Sequence, residues 1–323
     1  MAKDEKDKTL NRLLSKLEKN FECQKASEII IEPKSRSGLY PLDYVLDGGF
    51  SQMRGGHIVE FYGGESSGKT TISKIVIAEY QKQGKSCVFI NAEGSYDPTW
   101  AAKMGVDNDK VIIVTPRTLE ETGDLLIELI GEVDLVVVDS ISAIVAEEEL
   151  EESLEKKAYA AQAKVNSPMC RKINNKRHKG NTTIIFINQL REKVGVVYGS
   201  PITTSGGRAL KHLYDSRIEF RPGKPINVGS GDKKETIGFE INLKAVKNKK
   251  GVPRRTAVFD FFISGDIDNK TSLFFSAIKF GVITLSGQMY TYKDKVLRGK
   301  DKMMSGLTDK DYKDIQDEIW KRI

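Results

Sequence analysis

The sequence predicts an α/β protein with a mostly parallel central sheet: a helix-strand arm at residues 1–33, a core at 34–265 and a small C-terminal α/β domain at 266–323. Three observations predict it. Between residues 57 and 187, short apolar runs rich in Val, Ile and Phe alternate with amphipathic stretches, the pattern of strands covered on both faces by crossing helices. The octet Gly63-Gly64-Glu65-Ser66-Ser67-Gly68-Lys69-Thr70 closes one such run and opens an amphipathic one. After residue 265 the pattern changes to helix, hairpin, helix.

The elements follow in order. Leu10, Leu13, Leu14, Leu17 and Phe21 fall at helical spacing. Their apolar face has no partner nearby in sequence, so it docks on its own core or on a neighbouring subunit. Ile29-Ile30-Ile31, closed by Glu32-Pro33, reads as a short strand. Strands are predicted at 57–62, 86–91, 111–114, 135–138 and 182–187, with amphipathic stretches at 72–83 and 119–130 among them. Strands at 217–220, 239–246 and 256–263 lack helices between them, which makes that edge antiparallel. Residues 273–280 read as a helix and 288–297 as a hairpin around Lys293-Asp294. A last helix at 309–323 repeats Tyr312, Ile315, Ile319, Trp320 and Ile323.

Composition excludes several classes. With 323 residues the chain is long enough for one large core and appendages. No apolar run approaches the roughly 18 residues of a membrane span, and the charged N-terminus lacks the apolar stretch of a secretory signal, so a cytoplasmic protein is expected. Cys23, Cys87 and Cys170 are odd in number and far apart, which suggests neither a disulfide framework nor a zinc site. A net charge of +6 suits a polyanionic partner without specifying one.

The octet matches the phosphate-binding pattern G-x-x-x-x-G-K-[ST], in the strand-to-helix context that gives the pattern meaning. Gly63 and Gly68 let backbone N–H groups approach phosphates, with Glu65, Ser66, Ser67 and Thr71 completing the cradle. Lys69 reaches the β- and γ-phosphates, and the Thr70 hydroxyl is placed for Mg²⁺. The predicted ligands are therefore ATP and Mg²⁺. The buried run ending at Asp139 places a carboxylate for the same metal shell. Two other predicted strands end in polar groups, at Glu93 and at Asn188-Gln189. Ligands bind at the carboxyl ends of parallel strands, so Lys69, Glu93, Asp139 and Gln189 should converge there. Glu93 is the candidate to orient the attacking water, and Gln189 to sense the γ-phosphate.

Directly after Gln189, residues 191–211 carry several glycines and no sustained period, a long irregular segment of the kind that serves binding. Arg191, Lys193, Arg208 and Lys211 flank it, Gly206 and Gly207 lie within it, and Tyr198 stands at its centre. Phosphate contacts and an aromatic among bases fit single-stranded DNA. The acidic run 147–155 precedes Lys156, Lys157, Lys164, Arg171 and Lys172; it is a solvated face or a first DNA loop with basic residues behind it.

Taken together, Gly63-Gly64-Glu65-Ser66-Ser67-Gly68-Lys69-Thr70-Thr71, Phe89-Ile90-Asn91-Ala92-Glu93, Val136-Val137-Val138-Asp139-Ser140, Phe186-Ile187-Asn188-Gln189-Leu190-Arg191, Thr203-Thr204-Ser205-Gly206-Gly207-Arg208-Ala209-Leu210-Lys211 and Val246-Lys247-Asn248-Lys249 resemble the bacterial RecA recombinase family. The resemblance runs from about residue 8 to about residue 300. It implies a RecA-like P-loop core, a helical homo-oligomeric filament with ATP between subunits, single-stranded DNA along the axis, and pairing with duplex DNA followed by strand exchange. It also implies that Lys247 and Lys249 reach a neighbour's γ-phosphate, that Trp100 stacks on adenine beside Asp97, and that the N-terminal segment docks on the next protomer. Arg171, Arg191, Lys193 and the Tyr198 loop match DNA-contacting positions. A self-cleaving repressor of the SOS response and a single-stranded-DNA-binding protein are the further partners it suggests.

The sequence departs from the family at Trp100, where a tyrosine is usual, and at His212, where an interface aromatic is common. Its first DNA loop is more acidic and lacks glycines, and it ends without a long acidic tail, from which weaker restraint on duplex entry is expected. The rival readings are a RecA-like ATPase that acts as mediator or regulator without exchanging strands, and a small-molecule kinase. DNA-stimulated ATP turnover separates the kinase from the others.

Overall fold

The computed structural model describes residues 2–151, 161–192, 202–229 and 234–322. Two compact units divide the chain, Met1–Pro33 and Lys34–Ile323. The first unit holds helix α1 (Ala2–Leu17), whose Leu10, Leu13 and Leu17 are exposed. The strand predicted at residues 29–31 is not formed. Ile29, Ile30 and Ile31 are exposed, Ile31 at 80%, and make no ladder bonds, because a strand is stable only beside another strand.

The second unit runs α2 (Tyr40–Val45), β1 (His57–Gly63), α3 (Lys69–Lys82), β2 (Cys87–Asn91), α4 (Pro98–Lys103), β3 (Val111–Val114), α5 (Leu119–Leu129) and β4 (Leu135–Asp139). It continues with α6 (Glu147–Glu151), α7 (Ala161–Lys176), β5 (Thr183–Glu192), β6 (Ile202–Thr204), α8 (Gly207–Leu213), β7 (Ser216–Val228), β8 (Glu235–Asn248) and β9 (Thr256–Phe262). It closes with α9 (Asn269–Lys279), β10 (Thr284–Ser286), β11 (Met289–Tyr292), β12 (Lys295–Arg298), α10 (Lys300–Gly306) and α11 (Asp309–Arg322). No described helix is long and apolar enough to cross a membrane.

The main sheet has the order β3-β2-β4-β5-β1-β7-β8-β9. Pairing is parallel from β3 to β7 and antiparallel at the β7-β8-β9 edge. Side chains alternate across each strand. Leu135 and Val137 of β4 therefore join α3 in one core, while Val136 and Val138 join α5, α7 and α8 in the other. The first core continues without a break into α9, α10 and α11 through Phe274, Met303 and Ile315. The hairpin expected around Lys293-Asp294 is β11-β12, and β10 adds a third antiparallel strand.

Register explains why the strand ends meet. Gly63 pairs with Gln189 across β1 and β5, and Asn91 with Asp139 across β2 and β4, with Val138 beside Phe186, so these strand ends gather along one edge of the sheet within two residues of one another. The segment after Gln189 differs from the irregular stretch expected. β5 continues to Glu192, and Leu190, Arg191 and Glu192 pair with Thr204, Thr203 and Ile202 of β6. A two-stranded extension satisfies the backbone groups that a loose loop would leave open. α8 then starts directly at Gly207.

Candidate active site

The phosphate cradle is set by glycine chemistry. A Cβ on Gly63 would stand 2.2 Å from the carbonyl oxygen of Phe220, and Gly68 holds φ +89, a left-handed conformation that side chains rarely adopt. Gly68 offers α3 no side-chain cap, so the first N–H groups of the helix face the cradle unclaimed by a side chain. Lys69 is buried there. Its Nζ donates to the carbonyls of Gly64 (2.6 Å) and Gly63 (3.3 Å) and to Ser67 Oγ (3.3 Å). Burial lowers its pKa, against the pull of Asp139, Glu93 and Glu65. Ser67 is buried, whereas Glu65 and Ser66 stand exposed on the rim.

The Thr70 hydroxyl donates to Asp139 Oδ2 at 2.8 Å. Asp139 is 1% exposed, and its Oδ1 has no hydrogen-bond partner among the described residues. Burial raises its pKa to about 6, with Glu93 adding to the rise and the Thr70 bond, Lys74 and Lys69 opposing it. A buried carboxylate oxygen left open beside a threonine hydroxyl is the donor set a hard divalent cation takes. The residues present thus fit Mg²⁺ with ATP.

Next to this pair, Glu93 Oε1 accepts from Ser140 Oγ (2.6 Å) and from Gln189 Nε2 (2.9 Å). Arg191 Nη1 donates to the other end of the same amide, Gln189 Oε1, at 3.2 Å. Asn188, one residue back, is buried; its Nδ2 donates to Glu60 Oε1 (2.9 Å) and to the Ser205 carbonyl (3.1 Å). Glu60 is fully buried on β1 and paired with Arg217. Ser205 is therefore anchored to the strand that carries Gln189.

On the other side of the cradle, Asp97 caps α4 by accepting from the N–H groups of Thr99 (2.8 Å) and Trp100 (3.2 Å). The Trp100 indole N–H donates to Thr71 Oγ1 at 3.3 Å, which ties α4 to α3. Lys247 and Lys249 lie elsewhere, at the last turn of α8. Lys247 Nζ donates to the Lys211 carbonyl (2.7 Å) and Lys249 Nζ to that of His212 (3.2 Å). Burial brings the Lys247 pKa down to about 8, with Lys249 adding to the fall.

Among the basic residues, Lys164 on α7 pairs with Glu148 of the acidic α6 at 2.8 Å. Arg171 is exposed and shares a cleft of about 510 Å³ with Ser167, Asn174, Ala209 and His212, between α7 and α8. Gly206 and Gly207, both at positive φ, turn the chain into α8, where Arg208 is exposed. Lys193 and Tyr198 lie outside the described residues, as do Lys156 and Lys157. Sequence reasoning gave no role to Ser140, Glu60 or Arg217. The signals were there: a hydroxyl directly after the strand-end carboxylate, and a lone acid inside the otherwise apolar-aromatic β1.

A glycine cradle at a helix N-terminus, with a strand-end acid on the helix threonine, defines a P-loop nucleoside triphosphatase. The RecA N-terminal domain family model matches residues 8–268. Protein RecA of Lactococcus lactis subsp. cremoris strain MG1363 is 39% identical over 324 residues, covering 98% of this chain and 82% of the relative. Protein RecA of Aquifex aeolicus strain VF5 is 38% identical over 327 residues, covering 99% and 92%. That of Frankia casuarinae is 37% identical over 334 residues, covering 100% and 94%. The chain belongs to the bacterial RecA family. It is a DNA-dependent ATPase that binds DNA, forms filaments and carries out homologous strand exchange.

Proposed function

We propose that ATP hydrolysis and DNA binding are coupled through one hydrogen-bonded chain, Ser140–Glu93–Gln189–Arg191. The observation that carries this reading is the Gln189 amide, which donates to Glu93 and accepts from Arg191. Glu93 orients the attacking water and accepts its proton as the γ-phosphoryl group transfers. Lys69 and the α3 N-terminus hold the phosphates. Thr70 and Asp139 hold Mg²⁺, which supplies fixed positive charge to the phosphate oxygens. When DNA phosphate draws Arg191 away, Gln189 is released to follow the γ-phosphate, and β5-β6 carries that change into the 193–201 segment. Lys193 and Tyr198 belong to that segment, and Lys164, Arg171, Gly206, Gly207 and Arg208 complete the DNA surface.

Trp100 and Asp97 take the base of the nucleotide. Lys247 and Lys249 serve a neighbour's nucleotide after leaving the α8 carbonyls. The 1–33 arm is the oligomerisation segment. In its support, Ile29–Ile31 are unpaired and β3 is an edge strand with Ile112 and Ile113 exposed. Residues 34–265 serve as the ATPase core and 266–323 as the small C-terminal domain. We place the protein in the cytoplasm, with a self-cleaving repressor and a single-stranded-DNA-binding protein as further partners.

The test is strand exchange between an oligonucleotide and a labelled homologous duplex with ATP and Mg²⁺, using wild type, Lys69→Met and Arg191→Ala. Lys69→Met is expected to lose product and to lower ATP turnover roughly 100- to 1,000-fold. Arg191→Ala is expected to keep basal turnover and lose its stimulation by DNA. Full DNA stimulation in Arg191→Ala rejects the coupling chain, and exchange by Lys69→Met rejects the ATP mechanism.

A further inference from the structure

Lys74 belongs to none of the motifs above. It follows Thr70 by four residues on α3, and so lies on the helix face that Thr70 turns toward the strand ends. It is 2% exposed. Among the described residues its ammonium makes no hydrogen bond and no ion pair; it sits 5.1 Å from the centroid of the Tyr96 ring. Burial lowers its pKa, while the carboxylates of Asp139 and Asp97 work against that loss. An apolar side chain would pack at such a position without the cost of desolvating a charge, so the charge calls for a reason.

The ring beneath it supplies one. Tyr96 lies in the short segment that leaves β2, passes Glu93 and enters α4 at Asp97. Gly94, at φ +69 with open space around it, turns the chain between the two. Its Glu93 end is fixed independently by Ser140 and Gln189, and by the Glu93 N–H donating to the Asp139 carbonyl at 3.1 Å. Asn91 Oδ1 accepts from the Ser95 (3.0 Å) and Tyr96 (3.3 Å) N–H groups and Trp100 is tied to Thr71, and the ring of Tyr96 adds the side-chain hold between them. That ring meets Phe89 edge-on at 5.0 Å, and its hydroxyl donates to Asn108 Oδ1 at 2.9 Å. The face of the ring is taken by Lys74, and a desolvated cation over an aromatic face is a strong, orienting contact.

We propose that Lys74 is a positioning residue of the nucleotide site, holding the 96–100 segment so that Asp97 and Trp100 present a preformed surface to the base. This rests on the reading of Trp100 and Asp97 as the base side. Glu93 is anchored separately, so Lys74 acts on nucleotide affinity through Tyr96, while its charge also bears on Asp139; Trp100 emission without nucleotide therefore reads the positioning by itself.

The experiment uses the full chain with Trp320→Phe, which leaves Trp100 as the sole tryptophan. Lys74→Met is expected to raise the KM for ATP roughly tenfold, the worth of a desolvated cation–π contact. It also shifts Trp100 emission without nucleotide, and Lys74→Arg restores both readouts. If Lys74→Met gives too little folded protein, Lys74→Gln takes its place with the same expectations. Unchanged KM and emission, or an equal loss in Lys74→Arg, overturns the proposal. Trp100→Ala is the control for the underlying reading. If it leaves KM unaltered the base-side assignment fails, and Trp100 emission in Lys74→Met then decides whether Lys74 positions the segment.

Discussion

The two ends of β1 lie roughly 20 Å apart and hold buried polar groups of opposite character. At the His57 end the groups are closed on one another. The Ser51 N–H donates to His57 Nδ1 (3.1 Å), His57 Nε2 meets Ser216 Oγ (2.7 Å), and Ser216 Oγ donates to Asn248 Oδ1 (2.9 Å). Arg177 pairs with Asp215, which also accepts from the Ile58 N–H at 3.1 Å. At the Gly63 end Asp139 Oδ1 is buried without a partner among the described residues, and Lys69 leans on backbone carbonyls and a serine hydroxyl. The two aspartates show the contrast. Burial works to raise Asp215, but the bond and charge of Arg177 outweigh it and leave the pKa lowered, whereas burial prevails at Asp139. A scaffold satisfies its buried polar groups, and a site awaiting a charged ligand leaves some open.

The largest effect is expected from opening the closed end. Arg177→Met leaves the Asp215 carboxylate buried without its cation, a loss of about 3 kcal/mol in urea unfolding, with the KM for ATP unchanged. A loss below about 1 kcal/mol would put this pair on a par with exposed ion pairs and erase the contrast.

The same end also predicts a pH dependence. His57 Nδ1 accepts the Ser51 N–H, so the neutral ring carries its proton on Nε2 and donates to Ser216. Burial brings its pKa down from 6.5 to about 3, although Asp215 favours the charged form. The unfolded chain protonates this histidine below about pH 6.5 and the folded one only near 3, so stability is lost as pH falls through that window. The slope from this group approaches about 1.4 kcal/mol per pH unit. Between pH 7 and pH 5, wild type should lose about 2 kcal/mol relative to His57→Gln in paired unfolding curves. Parallel curves would show that the ring takes up its proton in the fold.

The contrast also explains what could be read in advance. The parallel order, the antiparallel edge and the phosphate cradle were legible because strand burial and glycine geometry leave periodic and local marks, as in Leu135–Asp139 and in Gly63 to Thr70. Residues 29–31 misled because an apolar β-branched run signals a strand whether or not a partner strand is present. The β5-β6 extension went unread because Thr203 and Arg191 pair across a gap that no local pattern marks. Lys74 and Ser140 were passed over for a related reason. A lysine inside an amphipathic helix reads as surface, and a serine after a strand as a turn, until the fold places Tyr96 under one and Glu93 beside the other.

Ser140 gives the smallest and sharpest test of the open end. Its hydroxyl is buried, donates to Glu93 Oε1 at 2.6 Å and lies 2.8 Å from Ser142 Oγ, so it fixes the same carboxylate oxygen that Gln189 holds. Ser140→Ala leaves Glu93 on Gln189 alone. Glu93 is exposed, so water replaces the missing donor at little cost in stability, but the carboxylate is less well aimed. Basal ATP turnover is expected to fall about three- to tenfold, the worth of one net hydrogen bond where water can stand in for the lost donor, with the unfolding midpoint unchanged. Because the Gln189–Arg191 link is intact, the ratio of DNA-stimulated to basal turnover should stay as in wild type. A collapse of that ratio would mean that Ser140 lies on the coupling path, and a fall in stability without loss of turnover would move Ser140 from the open end of β1 to the closed one.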